Sequence, residues 1–230
     1  VITALFHSWV AFTHGGPVAV PDVSAYLAVA QWLYGGVLPE NLAFYPGYGL
    51  LLGPFGGLPG ADLHTAALLL NGGLAALCVL LAAGLAERYG APQWAIVATA
   101  IGAALHPSLS VGSRIAWPET ALVALLLLVS LLLDRDKWMI AGAVSGLSIA
   151  LHPRILVVIA ALLLVAIAER RITRFLWGAT PAVIAAGLLL QITDSWPTAR
   201  LVAARTIGVG PDPLTTLLGQ WLTLKCQMAQ

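Results

Sequence analysis

Long apolar runs, broken by short polar links, set the pattern of this chain. A helix that crosses a bilayer needs about 20 largely apolar residues, because the hydrocarbon core is about 30 Å thick. Leu63 to Ala86, Pro92 to Val111, Trp117 to Leu133 and Phe175 to Ile192 fit that requirement. Two shorter runs, Trp138 to Leu151 and Ile155 to Ala168, flank His152-Pro153-Arg154. They read as two short spans joined by a turn, or as one kinked helix. Only the hairpin keeps the polar links alternating between the two sides. Val1 to Phe12 reads as the tail of a first span, and Leu214 to Leu224 as the start of a further one. The expected fold is therefore all-α: a polytopic transmembrane bundle of about six to eight spans, as one domain over residues 1–230.

Residues 13–62 form the longest stretch without a span and are expected to be a first outer loop. Residues 63–193 would be the helical core, 194–213 a second outer loop, and 214–230 the start of a span that the chain does not finish. One or both ends are expected to be cut from a longer chain. Within the first loop, Pro21-Asp22 opens a helical pattern, with Val23, Leu27, Ala30, Leu33 and Tyr34 at helical spacing and Gly35-Gly36 closing it. This predicts a short interfacial helix lying on the outer leaflet. Phe44 to Tyr48 and Gly53 to Gly57 read as irregular, aromatic-rich backbone. Such backbone needs protein or a wet cavity to satisfy its polar groups.

Composition agrees with the pattern. Hydrophobic residues make up 60% and charged residues 9% of the 230, and mean hydropathy is +0.91. A soluble domain is about 25% charged. With 11 basic and 10 acidic residues, the net charge is +1. That excludes a nucleic-acid binder driven by a basic surface and a disordered acidic chain. Cys78 and Cys226 set no disulfide framework or metal-ligand spacing, and Cys78 reads as a small buried hydrophobe. The first stretch lacks the basic region of a signal peptide.

The few charges are sorted. Arg88, Arg135, Lys137, Arg170, Arg171 and Arg174 fall in links that share one side. The positive-inside rule makes that side cytoplasmic. The other links hold Asp22, Glu40, Asp62, Glu119, Asp194 and Asp212, with Arg114, Arg154, Arg200 and Arg205. Ionisable groups at membrane depth are functional candidates. Asp22 suits an N-cap as well as a general base. Glu119 after Pro118 suits a helix first turn as well as a ligand-binding role. Arg114 could pair with Glu119 or meet a phosphate, for which a guanidinium fork is well shaped. His152, Arg154 and His106 lie at span ends, where turn chemistry and anion binding both fit. No Walker-type phosphate loop, dinucleotide fingerprint or serine nucleophile elbow is present.

Several segments taken in order resemble the GT-C superfamily of integral-membrane glycosyltransferases. Pro21 to Leu33 is similar to the family's first outer loop, with an Asp, then a Tyr, then an A-x-x-L-x-x-G stretch. Tyr45-Pro46-Gly47-Tyr48-Gly49-Leu50-Leu51-Leu52 resembles its Y-P-P-x-x-x-L-L element, with Gly47 in place of the second proline. Ser113 to Thr120 resembles the helix start where many members carry a second acidic residue. Gly142 to Leu164 is similar to a segment with a basic residue before a proline, which here is His152. The chain is short for the family, and the family's C-terminal outer domain has no counterpart in it.

The resemblance implies transfer of a sugar from a polyprenyl-phosphate donor to a glycan, lipid or protein acceptor on the outer side of the membrane, without nucleic acid. It implies Asp22 as the general base and Glu119 as a second carboxylate. Tyr26, Tyr45, Tyr48, His106, Arg114, His152 and Arg154 would contact substrate. If a divalent metal such as Mg or Mn takes part, Asp22 and Glu119 would bind it. A flippase for a lipid-linked substrate and a non-catalytic membrane subunit are the competing readings.

Overall fold

The computed structural model describes residues 2–13, 21–38, 45–107, 109, 114–152 and 155–193, the side chains of Pro21 and Asp22 excepted. Arg154, Glu40 and everything from Asp194 onward, including the expected second outer loop and final span, lie outside the described residues. Those described are helical, with no strand among them. In chain order the helices are α1 (Ile2–Thr13), α2 (Pro21–Trp32), α3 (Gly47–Leu51), α4 (Gly60–Arg88), α5 (Gln93–Ala104), α6 (Glu119–Asp134), α7 (Trp138–Leu147), α8 (Ile155–Ala168) and α9 (Ile172–Ile192). Short 3₁₀ turns at Gly53–Phe55 and Ser148–Ala150 follow α3 and α7.

Two of these helices, α4 and α9, are long and apolar enough to cross a membrane. The others are shorter. α5 stops at Ala104, seven residues before the apolar run ends, so it spans only about 18 Å at 1.5 Å per residue. The break comes just before His106-Pro107, where the proline ring disfavours helical backbone in the residue before it. The runs on either side of His152 fold as two separate helices, α7 and α8, as the hairpin requires.

α4 is the central helix and packs against α1, α5 and α6. α6 lies parallel to it. Thr120 meets Cys78 near the start of α6, where the thiol points at the Thr120 carbonyl 3.9 Å away, and Asp134 at its end pairs with Arg88. α7 packs closely on α9 because both offer glycine at the crossing. A Cβ on Gly142 would strike the Phe175 carbonyl oxygen, and one on Gly178 the Met139 carbonyl oxygen. Small residues at such a spacing let backbones approach and gain dispersion energy that needs no water-driven burial.

The polar links separate onto two ends. At one end Arg88 pairs with Asp134, and the Asp136 carboxylate lies 3.5 Å from both Arg171 and Arg174. These contacts tie three links together. Ala166, late in α8, shares an apolar cluster with Trp138 and Ala141 at the start of α7 and with Phe175 in α9. The chain therefore turns back between α7 and α8. Helices α4, α6 and α8 all finish here in the same way. Gly90, Asp136 and Arg170 take φ of 73°, 55° and 57°. In each case the next residue's N–H reaches back to a carbonyl five residues earlier, as in Ala91 to Ala86, Lys137 to Leu132 and Arg171 to Ala166. This left-handed cap satisfies carbonyls that a helix end leaves open.

At the opposite end the described part of the first loop folds against the bundle. α2 forms as its spacing predicts, and the turn that follows it closes at Gly35, whose φ is 86°. Its buried face is Val23, Tyr26, Val29 and Ala30, while Leu33 and Tyr34 are exposed. That face is covered by α3, the following 3₁₀ turn and α4. Of the two segments expected to be irregular, Gly47 and Tyr48 open α3, and Gly53–Phe55 form the 3₁₀ turn. The glycines serve contact here. A Cβ on Gly49 would sit 2.6 Å from the Tyr26 carbonyl oxygen, and one on Gly47 2.6 Å from the carbonyl carbon of Ala150.

Candidate functional site

The candidate site lies at this second end, where α2, α3, the early turns of α4 and the approach to α6 share one apolar cluster. Tyr26, Tyr48, Leu63, Ala67, Leu68, Ala116, Ala121 and Leu151 form its centre, with Ile115 and Trp117 packed on it. Within this shell lie polar groups that helical spacing puts there. His64 and Asn71 are one heptad apart on the inward face of α4, and both are buried.

Asn71 organises the site. Its side-chain oxygen accepts the Tyr48 hydroxyl at 3.0 Å. Its amide group donates to the carbonyls of Trp117 at 3.1 Å and Ile115 at 3.3 Å. The Tyr48 hydroxyl also lies 3.4 Å from the Ala67 carbonyl. One side chain thereby joins α3, α4 and the segment leading into α6. A buried amide left without these partners costs about 1–3 kcal/mol, so the arrangement holds its geometry.

Tyr26 stacks edge-on against Tyr48 with ring centroids 5.3 Å apart. Burial pushes the Tyr48 phenol well above its ordinary pKa. Tyr26 adds to the rise, the Asn71 hydrogen bond opposes it, and the Glu119 carboxylate adds a further rise. Tyr48 is thus a neutral donor within electrostatic reach of Glu119.

Glu119 opens α6 behind Pro118, which takes the N-cap position. It is half-buried, with Oε2 shielded from solvent. The helix N-terminus favours its negative charge. Beside it, Thr120 Oγ1 and Trp117 Nε1 are buried with no hydrogen-bond partner among the described residues. Those two groups and Glu119 supply a donor, a hydroxyl and an acceptor within a short stretch of chain. Such a set suits hydroxyl-rich ligands.

The sequence-derived candidates fall into three groups. Tyr26, Tyr48 and Glu119 come together. Tyr45 and His152 meet each other, ring centroids 5.5 Å apart, where α3 approaches the turn after α7. Asp22 lies in the first turn of α2, the helix that supplies Tyr26, but its side chain is outside the described set, as is Arg154. Arg114 is exposed and forms no ion pair with Glu119 or any other described residue. His106 is exposed beyond the end of α5. Among the described residues no three His, Cys, Asp or Glu side chains converge on a metal position. Glu119 offers a hard oxygen donor of the kind Mg or Mn takes, and Asp22 would have to supply the rest.

Asn71 and Thr120 were not among the sequence candidates. A signal existed for Asn71, which is the lone amide inside the apolar run Leu63 to Ala86. A polar residue at that depth is a functional or structural flag by default.

No protein-family model, no curated protein and no solved structure matches this chain.

Proposed function

We propose that the chain is a polytopic membrane glycosyltransferase of the GT-C type, with the site above on the extracytoplasmic side. It would move a sugar from a polyprenyl-phosphate donor to a glycan, lipid or protein acceptor. The observation that carries this reading is the union of the first loop with the start of α6. Tyr48 from the loop, stacked on Tyr26, lies within electrostatic reach of Glu119 from α6, at the end opposite the six clustered cations.

Six to eight spans belong to the same reading. The apolar outer faces of α5 and α8 support it. α5 buries none of its residues, and α8 exposes Leu156, Val157, Leu164, Val165 and Ile167. Water-facing proteins rarely carry apolar surface so continuous, and lipid would cover it.

In the proposed reaction Asp22 takes the proton from the acceptor hydroxyl. The acceptor oxygen forms a bond to the sugar's anomeric carbon. The bond from that carbon to the phosphate oxygen breaks, and the polyprenyl phosphate leaves with the electron pair. Configuration inverts. His152, Arg154 and Arg114 stabilise the departing phosphate. Thr120, Trp117, Tyr26, Tyr45 and Glu119 hold sugar or acceptor hydroxyls, and His106 lines the approach. A divalent metal, where used, would sit on Asp22 and Glu119 and neutralise phosphate charge.

The test is a transfer assay in nanodiscs with a panel of polyprenyl-phosphate sugars. Transfer that Asp22→Asn abolishes, with folding intact, supports the proposal. Transport of the lipid-linked sugar without transfer points to a flippase, and full activity in Asp22→Asn removes the base.

A further inference from the structure

The opposite end of the bundle has a recess of its own. Leu80, Leu81 and Gly84 of α4 and Leu131 of α6 wall a groove of about 390 Å³, and Glu87, Arg88 and Arg135 line its polar end. The slot is open above Gly84, where a Cβ would meet nothing within 4 Å. The charges at the mouth are not equivalent. Arg88 is taken by Asp134. Glu87 and Arg135 are both exposed and make no ion pair among the described residues. Asp136, Arg171 and Arg174, the other charged groups fixed at this end, are held by one another. The groove therefore offers one available cation and one available anion above a greasy slot.

We propose that this groove binds a zwitterionic phospholipid whose headgroup ends in a primary ammonium, as in phosphatidylethanolamine. This rests on the reading that α4 and α6 lie in a bilayer. One acyl chain fills the slot along Leu80, Leu81, Gly84 and Leu131. The guanidinium fork of Arg135 takes the phosphate, which it matches in shape and charge. Glu87 accepts the ammonium. A purely anionic headgroup would satisfy Arg135 but meet repulsion from Glu87, and a choline headgroup has no N–H to give. Basic pockets between membrane helices are established lipid-headgroup sites, and the added carboxylate selects among headgroups.

The experiment is to assemble the full chain in nanodiscs of equal parts phosphatidylethanolamine, phosphatidylglycerol and phosphatidylcholine, extract it into mild detergent, and identify bound lipid by native mass spectrometry. The expected result is phosphatidylethanolamine enriched about fivefold over the other two, the effect of one well-placed charge contact. Glu87→Gln should erase that preference while lipid is still retained. Arg135→Gln should reduce retention of all three. Gly84→Leu should empty the groove with its charges intact, and Lys137→Gln should change nothing. Enrichment of phosphatidylglycerol over phosphatidylethanolamine would overturn the proposal, as would a preference that survives Glu87→Gln or Gly84→Leu. The readout is bound lipid, so it stands or falls independently of sugar transfer.

Discussion

The Tyr48 hydroxyl donates to the Asn71 side-chain oxygen at 3.0 Å, and through that bond the first loop is fastened to the central helix α4. Asn71 then holds the segment before α6 through the Trp117 and Ile115 carbonyls. Tyr48→Phe removes one bond and should lower stability by about 1 kcal/mol. Asn71→Ala takes the amide partner from the Tyr48 phenol and from two carbonyls at once and should cost clearly more, about 2–3 kcal/mol. Thermal unfolding in detergent reads both. Equal, negligible losses would show that the loop is held by apolar packing alone.

The same bond predicts an alkaline dependence. Burial raises the Tyr48 pKa in the folded state. Above the ordinary tyrosine value of about 10, the unfolded chain releases a proton that the folded chain keeps. Stability should therefore be fully present below that pH and fall as pH rises through it and beyond. Tyr48→Phe should flatten the fall. A wild type and a Tyr48→Phe variant that lose stability in parallel would contradict the assignment.

Glycines on one helix should respond in opposite ways. In α9, Gly178→Ala drives a methyl into the Met139 carbonyl, and backbone on both sides must move. Overpacking of this kind costs about 1–3 kcal/mol. A Cβ on Gly187 meets nothing within 4 Å. Gly187→Ala should then gain up to about 1 kcal/mol from helix propensity. Proteolytic resistance in detergent at rising temperature separates the two.

Arg170 holds a left-handed φ of 57° at the end of α8. That region costs a residue with a Cβ roughly 1–2 kcal/mol that glycine avoids. Arg170→Gly should raise the unfolding midpoint, although it removes a charge. An unchanged or lower midpoint would mean that the arginine side chain contributes more than the backbone relief.

Much of this architecture is legible in the apolar runs. α4 and α8 fall close to their runs because glycine, proline and charge clusters punctuate both ends. The gathering of three charged links at one end also follows from counting alternations, and the Arg88 to Asp134 and Asp136 to Arg171 pairs show it physically. Other features depended on tertiary contacts that one-dimensional periodicity does not hold. Gly47 and Gly49 look like helix breakers in sequence, yet both are close-approach points within α3. Val23, Tyr26 and Val29 face inward on α2, while Leu33 and Tyr34 in the turn after it stay exposed, because α3 and α4 choose the buried side. α5 ended early because the His106-Pro107 break acts before the apolar run stops. In the site, Tyr26, Tyr48 and Glu119 were visible as chemistry-bearing residues, whereas Asn71 was hidden in an apolar run, and its role appears only when its partners Tyr48, Ile115 and Trp117 are seen.

Glu119 and Asp22 have separable roles in the proposed transfer. Glu119→Gln keeps shape and first-turn hydrogen bonding but removes the charge. It should raise KM for donor or acceptor at least tenfold, about 1.4 kcal/mol, and leave measurable kcat. Steady-state kinetics at saturating donor reads this split. A loss confined to kcat would instead assign Glu119 to the proton transfer.

The central claim is an outer-face carboxylate that activates an acceptor hydroxyl. The most direct measurement is single-turnover transfer from a polyprenyl-phosphate sugar in nanodiscs, wild type against Asp22→Asn, with folding checked by thermal midpoint. The account predicts transfer by the wild type and a loss of at least about a hundredfold in Asp22→Asn, the scale of removing a general base, at an unchanged midpoint. Equal single-turnover rates in the two proteins would contradict it.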